Sequence, residues 1–525
     1  MDIGISFIQI AVALSLIFMI LACIEVGSND AANLVNAVFG ARVLSRKRAV
    51  FIAGIFVVLG ATFASPVMDT IRREIFDIHM MSDVYLVSIF LSSYLVNTLL
   101  LYAYSAYGIP VSTTATLVFS IAGGAYGVTG TLESIQWQKL QSIITAIFIS
   151  IFFSSFASFL IQKFFRKFIS HGSQDPKKIA VHGPWISSLI IMGLLWYMLI
   201  KGMNLINPDD FASWCREIGL GEFGFMLVLW LALSAFIGFS LFILGEKACK
   251  YLFHVTCLLG VACMSFAFGQ NDLANCASPG VASLLVYLKG VESGSSFQIP
   301  MWGLFACGFL IFLGMRTKRA QRVTRAEVNT ASQHSKVKLY APRWCLVLGK
   351  FISQNMASPS KKQSKKLKSL TSKRNDRGKK IHYDTLRASV ILSVSASVIA
   401  FASSLGLPIS TTYVSFASVI STGWADKVFA KGSSELKVGR SIWVISCWFI
   451  AAILAALITA LVAMIISKWM TWGISLILLI NYVLRRFFKN ASDEHEKLYH
   501  QKKKKIKQLK EEEFEDDQGE DIYDD

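Results

Sequence analysis

The chain has 525 residues, of which 54% are hydrophobic and only 16% charged, and its formal net charge is +18. That much apolar surface does not fit a water-soluble fold, and the positive charge is confined to loops and a tail, so a soluble enzyme and a nucleic-acid binder are both excluded. The apolar residues are gathered into runs of about 20, the length that crosses a bilayer as helix.

In chain order, the first run (3–24) is too long for a cleavable signal, lacks a basic lead-in, and flows into Gly27-Ser28-Asn29-Asp30-Ala31-Ala32-Asn33. Arg42, Arg46, Lys47 and Arg48 follow, then runs at 49–70 and 84–104. Tyr107-Gly108-Ile109-Pro110-Val111-Ser112-Thr113-Thr114 opens the run 106–128, and further runs lie at 141–163, 184–200, 223–244 and 254–268. The last of these leads into Gly269-Gln270-Asn271-Asp272-Leu273-Ala274-Asn275, followed by a run at 300–315. Residues 316–385 are strongly basic and Ser/Lys-rich, a composition that predicts disorder. Lys361 to Lys380 in that segment would also attract anionic lipid headgroups. After 386–405, Leu405-Gly406-Leu407-Pro408-Ile409-Ser410-Thr411-Thr412 opens 408–425, and runs at 441–466 and 470–488 precede a charged tail. Backbone groups in lipid must be satisfied within each segment, so the fold class is an all-α polytopic membrane protein with about 12 transmembrane helices, some broken or re-entrant.

The nine cysteines are scattered through apolar runs with no CxxC pair, and the eight histidines lack ligand spacing. Neither a disulfide framework nor a structural metal is expected. Trp137, Trp185, Trp469 and Trp472 stand near run ends and read as interfacial belts.

Each half carries the same ordered signals, an Asn-Asp-x-Ala-Asn element and then a Gly-x-Pro-x-Ser-Thr-Thr element. Asp30 to Pro110 is 80 residues and Asp272 to Pro408 is 136; the excess of 56 is close to the length of the basic insertion. Equivalent loops of the two halves carry opposite charge bias, which by the positive-inside rule puts them on opposite sides. The expectation is two inverted-topology repeats, 1–165 and 246–488, joined by connecting helices in 166–245, with a basic cytoplasmic loop at 316–385 and a tail at 489–525. Substrate sites in such repeats lie near the midplane at their interface.

An aspartate near a bilayer centre costs roughly 2.5–3.5 kcal/mol. Meeting that penalty twice at matched positions argues for function over a polar helix–helix contact. Asn29, Asp30, Asn271 and Asp272, with Asn33 and Asn275 sharing a helix face one turn on, make an all-oxygen set suited to a hard cation, and either carboxylate could instead carry a proton. The glycine before each motif marks a place where the helix unwinds or packs closely. Ser112, Thr113, Thr114, Ser410, Thr411 and Thr412 are neutral donors beside a proline suited to a first helical turn, where free N–H groups attract anions. A multivalent anion entering a low-dielectric site needs accompanying cations, a physical reason for coupling the two. Glu25, one turn before Asn29, is either a further cation ligand or a charge at a helix end. Asn97 and Asp69 read as satisfied polar contacts.

The paired Gly-x-Asn-Asp-x-Ala-Asn and Gly-x-Pro-x-Ser-Thr-Thr motifs resemble the inorganic phosphate transporter (PiT) family of cation–phosphate symporters. Val43-Leu44-Ser45-Arg46-Lys47-Arg48-Ala49 and Leu59-Gly60-Ala61 are also similar to that family's first half. The resemblance implies inorganic phosphate as substrate, with Asn33, Asn275 and the two Ser/Thr triplets holding it. It further implies Na⁺ or H⁺ as coupling ion and no other cofactor, in the plasma or inner membrane of a cell. It leaves open a homodimer in the lipid bilayer, and sulfate in place of phosphate. First motifs of the family commonly have other residues at Ser28 and Ala31, and Cys276-Ala277-Ser278-Pro279 departs from its second motif. The rivals from other classes are an intramembrane aspartyl protease, for which Ser-Thr-Thr has no role, an anion channel, and a non-transporting receptor.

Overall fold

The computed structural model describes residues 3–64, 67–68, 75, 81–170, 175–198, 208–289, 300–334, 339–354, 381–430 and 434–519. Every regular element among them is helical, as backbone surrounded by hydrocarbon requires. In chain order these are α1 (Ile3–Gly40), α2 (Arg46–Ala61), α3 (Asp83–Ala106), α4 (Thr113–Thr129) and α5 (Trp137–Phe168). Then come α6 (Pro176–Trp196), α7 (Pro208–Glu217), α8 (Gly221–Leu244), α9 (Glu246–Lys289) and α10 (Met301–Met315). The last are α11 (Lys318–Thr330), α12 (Arg343–Gln354), α13 (Thr385–Ser404), α14 (Thr411–Ala425) and α15 (Ser434–Gly519).

Eight of them, α1, α3, α5, α6, α8, α9, α13 and α15, are long and apolar enough to cross a membrane. The apolar runs therefore do not map one to one onto spanning helices. Runs 441–466 and 470–488 share α15, which breaks at Met470 (φ 48°, ψ −123°). Runs 106–128 and 408–425 become α4 and α14, of 17 and 15 residues. At 1.5 Å per residue these are about 26 and 23 Å long, short of the ~30 Å hydrocarbon core. Run 49–70 is helical as far as Ala61 in α2. Trp137, Trp469 and Trp472 are exposed, whereas Trp185 is packed edge-on against Phe164, Phe165 and Phe168.

The expectation that 316–385 is disordered is corrected over its first part. Residues 318–330 and 343–354 are the helices α11 and α12, and α11 buries Ala320, Val323, Thr324, Glu327 and Val328. In α11 the basic residues Lys318, Arg319, Arg322 and Arg325 flank an apolar stripe at helical spacing, which is what lets it dock. Lys361 to Lys380 lies outside the described residues, as does Asp69.

Two matched hairpins organise the centre. The turn closing α3 is at Gly108 and that closing α13 at Gly406, both with φ +68°. In each the second residue beyond the turn closes back over five positions, Ile109 N to the Tyr104 carbonyl and Leu407 N to the Ala402 carbonyl, both at 3.0 Å. This is the Schellman arrangement, and its left-handed position is where glycine is needed. The chain then runs extended through Pro110-Val111 and Pro408-Ile409. It re-enters helix behind Ser112 and Ser410, whose hydroxyls accept from Ala115 N (3.0 Å) and Tyr413 N (3.2 Å). The prolines stand two residues ahead of these caps, not at the first helical position expected from sequence.

Neither Asn-Asp motif unwinds its helix; α1 and α9 run straight through them. The glycines serve close packing instead. A Cβ on Gly27 would collide with the carbonyl of Ile311 in α10, and one on Gly269 with that of Val57 in α2. Three residues along, Gly314 of α10 meets the Ile24 carbonyl and Gly60 of α2 meets that of Phe266. Each long helix thus crosses the second helix of the other half through a reciprocal pair of notches. Gly27→Val should destabilise the protein by about 1–3 kcal/mol or more through overpacking. Gly193→Ala, which meets open space, should stay within about 0.5 kcal/mol of the parent; thermal unfolding in detergent compares the two.

Candidate functional site

Asn29, Asp30, Asn33, Asn271, Asp272, Asn275 and all six triplet residues are buried. They converge because the extended segments after each hairpin turn lie against α1 and α9. Asn29 Nδ2 donates to the Val111 carbonyl (2.6 Å) and Asn271 Nδ2 to the Ile409 carbonyl (2.8 Å). Each asparagine therefore pins the hairpin of its own half by a backbone oxygen of the extended segment.

The aspartates reach across. Thr412 Oγ1 donates to Asp30 Oδ1 (2.8 Å), and Thr113 Oγ1 donates to Asp272 Oδ1 (2.9 Å). Asn33 Nδ2 donates to Thr412 Oγ1 (3.0 Å) and Asn275 Nδ2 to Thr114 Oγ1 (2.8 Å), so both second asparagines also bond into the opposite half. Thr114 Oγ1 completes the exchange on the Ile409 carbonyl (2.9 Å).

Four buried oxygens of this cluster have no hydrogen-bond partner: Asp30 Oδ2, Asn33 Oδ1, Asn275 Oδ1 and Thr411 Oγ1. Buried polar atoms are rarely left so, and several together on carboxylate, carboxamide and hydroxyl mark a place fitted for a bound ion. No basic side chain bonds to either aspartate among the described residues, so their charge is offset only by neutral donors and by the N-termini of α4 and α14.

The hydroxyl triplets divide their work. Ser112 and Ser410 are helix caps, Thr113, Thr114 and Thr412 bond across the halves, and Thr411 has its hydroxyl unpartnered. Glu25 does not join the cluster. Its carboxylate is buried against Arg319 Nη1 (2.7 Å) and Arg485 Nη1 (3.5 Å); with two guanidiniums on it, a third cation has no electrostatic reason to bind. Asn97 is also corrected: it is buried with neither amide atom partnered.

Several participants had no sequence signal. Ser105 Oγ donates to Asn29 Oδ1 (3.2 Å), orienting that amide. Tyr94 inserts its hydroxyl into the ladder of α9 just beyond Asn275, donating to the Cys276 carbonyl (2.6 Å) and accepting from Gly280 N (2.8 Å). Pro279 has no N–H for the Asn275 carbonyl and opens the turn, and the phenol bridges the Cys276 carbonyl and the Gly280 N–H that a regular helix would pair directly. Only the proline, out of keeping with a helix interior, pointed there. Thr412→Val or Thr113→Val removes the donor to a buried carboxylate and should lower stability by about 1–3 kcal/mol; Ser105→Ala, acting on a neutral amide, should cost about 1 kcal/mol, as read by detergent thermal unfolding.

The profile of the phosphate transporter family matches residues 26–327. A "Putative phosphate permease" of Pyrococcus abyssi is 28% identical over 455 residues, covering 86% of this chain and 96% of its own length. One of Thermococcus kodakarensis is 27% identical, covering 83% of this chain and 92% of its own. A solved structure titled the sodium-dependent phosphate transporter shares the fold at 23% identity and a TM-score of 0.64, over 87% of this chain and 99% of that one. With the profile spanning more than half its length and with membrane-crossing helices throughout, the chain is an integral multi-pass membrane protein that belongs to the phosphate transporter family, a family of transporters and not of enzymes.

Proposed function

We propose that this chain moves inorganic phosphate across a membrane together with Na⁺, through a midplane site built by two inverted repeats. The repeats are residues 1–165 and 246–488, with 166–245 connecting them. The observation that carries the reading is the exchange between halves, Thr412 on Asp30 and Thr113 on Asp272. The matched hairpins and reciprocal glycine notches support the two-fold relation.

Asp30 and Asp272, with Asn29 and Asn271 holding the hairpins beside them, are the cation sites. Their all-oxygen surroundings suit a hard cation, and the sodium-dependent transporter of like fold favours Na⁺ over H⁺. With a cation on each carboxylate, Thr113 and Thr412 are released from charge-assisted bonds and can turn toward an anion. Asn33, Asn275, Thr114, Thr411 and the caps Ser112 and Ser410 complete a cradle at two helix N-termini, where anions are favoured. Neutral donors and co-bound cations release a phosphate more readily than fixed arginines would. The basic face carrying Arg42, Arg46 and α11 is the cytoplasmic one.

Purified protein in liposomes should take up labelled phosphate under an inward Na⁺ gradient and not under a proton gradient alone. Sulfate should compete poorly; equal uptake of sulfate would reassign the substrate. Asp30→Asn combined with Asp272→Asn should lower uptake by at least about 100-fold, the effect of losing about 3 kcal/mol at the site. Unchanged Na⁺-driven uptake in that double variant would remove the aspartates from coupling. Thr411→Ala should raise the phosphate KM with a smaller effect on maximal rate.

A further inference from the structure

Six carboxylates are buried among the described residues: Glu25, Asp30, Asp272, Glu327, Asp384 and Asp426. Glu25 is held by two arginines, and Asp384 and Asp426 share Arg166 at 2.6 and 2.8 Å. The two motif aspartates belong to the central site. Glu327 fits neither group. It lies on α11, 1% exposed, and its carboxylate accepts from Asn36, whose Nδ2 donates to Oε1 at 2.7 Å.

Asn36 stands one turn beyond Asn33 on α1, so oxygen-bearing side chains lead stepwise from the central cluster to Glu327. Both remaining oxygens of the pair, Asn36 Oδ1 and Glu327 Oε2, are buried without a partner. Among the described residues, the charged groups around α11 are engaged elsewhere; Arg46 donates to the Met315 and Thr317 carbonyls at its start. From α1, Glu25 is bound to Arg319; from α3, Tyr102 lies under the Arg319 guanidinium. From α15, Asp493 and Ser492 engage Arg322. Ahead of α13, Tyr383 donates to the Val328 carbonyl, and Arg387 beside its ring is committed to Thr422 and the carbonyls of Ala331 and Val419. On α11 itself, Arg325 bonds back to the Gln321 carbonyl.

We propose that Glu327 and Asn36 form a proton-binding site at the basic end of α1, which docks α11 on α1 when the carboxyl is neutral and weakens that docking when it is charged. A proton on Oε2 supplies the one donor the pair lacks, because both orphan oxygens belong to these two side chains. Carboxylic acid and carboxamide then each donate once and accept once. On release the proton passes to water on the basic side, and the anion left behind has no positive partner in a dry site, the situation that most disfavours burial.

The direction of the pH dependence follows. Burial pushes the Glu327 carboxyl from its ordinary 4.5 up to about 7, with the Asn36 hydrogen bond opposing. A docked form that holds its proton more tightly than the undocked one is favoured at low pH. Its advantage shrinks as pH rises above 4.5 and is gone once pH passes about 7. Acid on the basic side therefore keeps α11 docked, and alkali frees it.

This inference deepens the transport reading, but its primary test needs no transport. Infrared difference spectra of the full-length protein in liposomes, taken one pH unit either side of neutrality, should show a carboxylic acid band falling about tenfold on the alkaline side. Glu327→Gln, whose amide keeps both hydrogen bonds at every pH, should lack that band change, and Glu327→Asp should retain a shifted one. No Glu327-dependent band in this range would overturn the proposal. In phosphate uptake, the parent should slow several-fold when the basic-side solution is acidified and Glu327→Gln should not. A Glu327→Gln profile equal to the parent's would also overturn it. Absence of uptake in the parent would instead defeat the transport reading and leave the infrared result standing.

Discussion

The arrangement turns on the burial of two aspartates that, among the described residues, no basic side chain neutralises. A carboxylate deep in an apolar bundle is tolerated only where donors are fixed in place before it arrives. Here the donors come from both halves: Asn29 and Asn33 on Asp30 and Asn271 and Asn275 on Asp272 from the acid's own half, with Thr412 for Asp30 and Thr113 for Asp272 from the opposite one. Each acid thus draws part of its shell from across the bundle. Meeting that electrostatic requirement also joins the halves.

That exchange demands close approach, which is the business of the glycines. Gly27 with Gly314 and Gly269 with Gly60 let α1 and α9 cross their partner helices with backbones in contact. Without an aqueous driving force between helices in lipid, such close van der Waals packing is a main source of association. The hairpin turns at Gly108 and Gly406 then set the depth at which Ser112 and Ser410 restart helix, and hence where the hydroxyls fall. The asparagines Asn29 and Asn271 fix the same depth from the other side through the Val111 and Ile409 carbonyls.

Charges away from the centre follow a different rule. Arg166 ties α5 to Asp384 and Asp426 at the bases of α13 and α14, and Glu25 ties α1 to α11 and α15 through Arg319 and Arg485. Such paired charges hold elements in register, since breaking one side strands the other in a poor dielectric. Glu327 stands apart because its partner is an amide. Acids paired with arginines act as fastenings, whereas Asp30, Asp272 and Glu327 are met by hydroxyls and amides.

Hydropathy runs and the duplicated Asn-Asp and Ser-Thr-Thr motifs determined that this is a helical membrane protein with a polar centre, and they named the residues that meet there. These are local properties, set by composition over a bilayer's width and by residue types too costly in lipid to be incidental. Sequence could not say which run spans and which falls short of the full width, because α4 and α14 are as apolar as their neighbours and differ only in being reached through a turn. Nor could it choose between unwinding and close packing at Gly27 and Gly269, a choice made by the facing carbonyls of Ile311 and Val57. The fates of Glu25 and Glu327 were equally hidden. Each is a lone acid in the sequence, and only tertiary structure brought arginines to one and an asparagine to the other, because the charge state of a buried group is decided by what the fold places beside it.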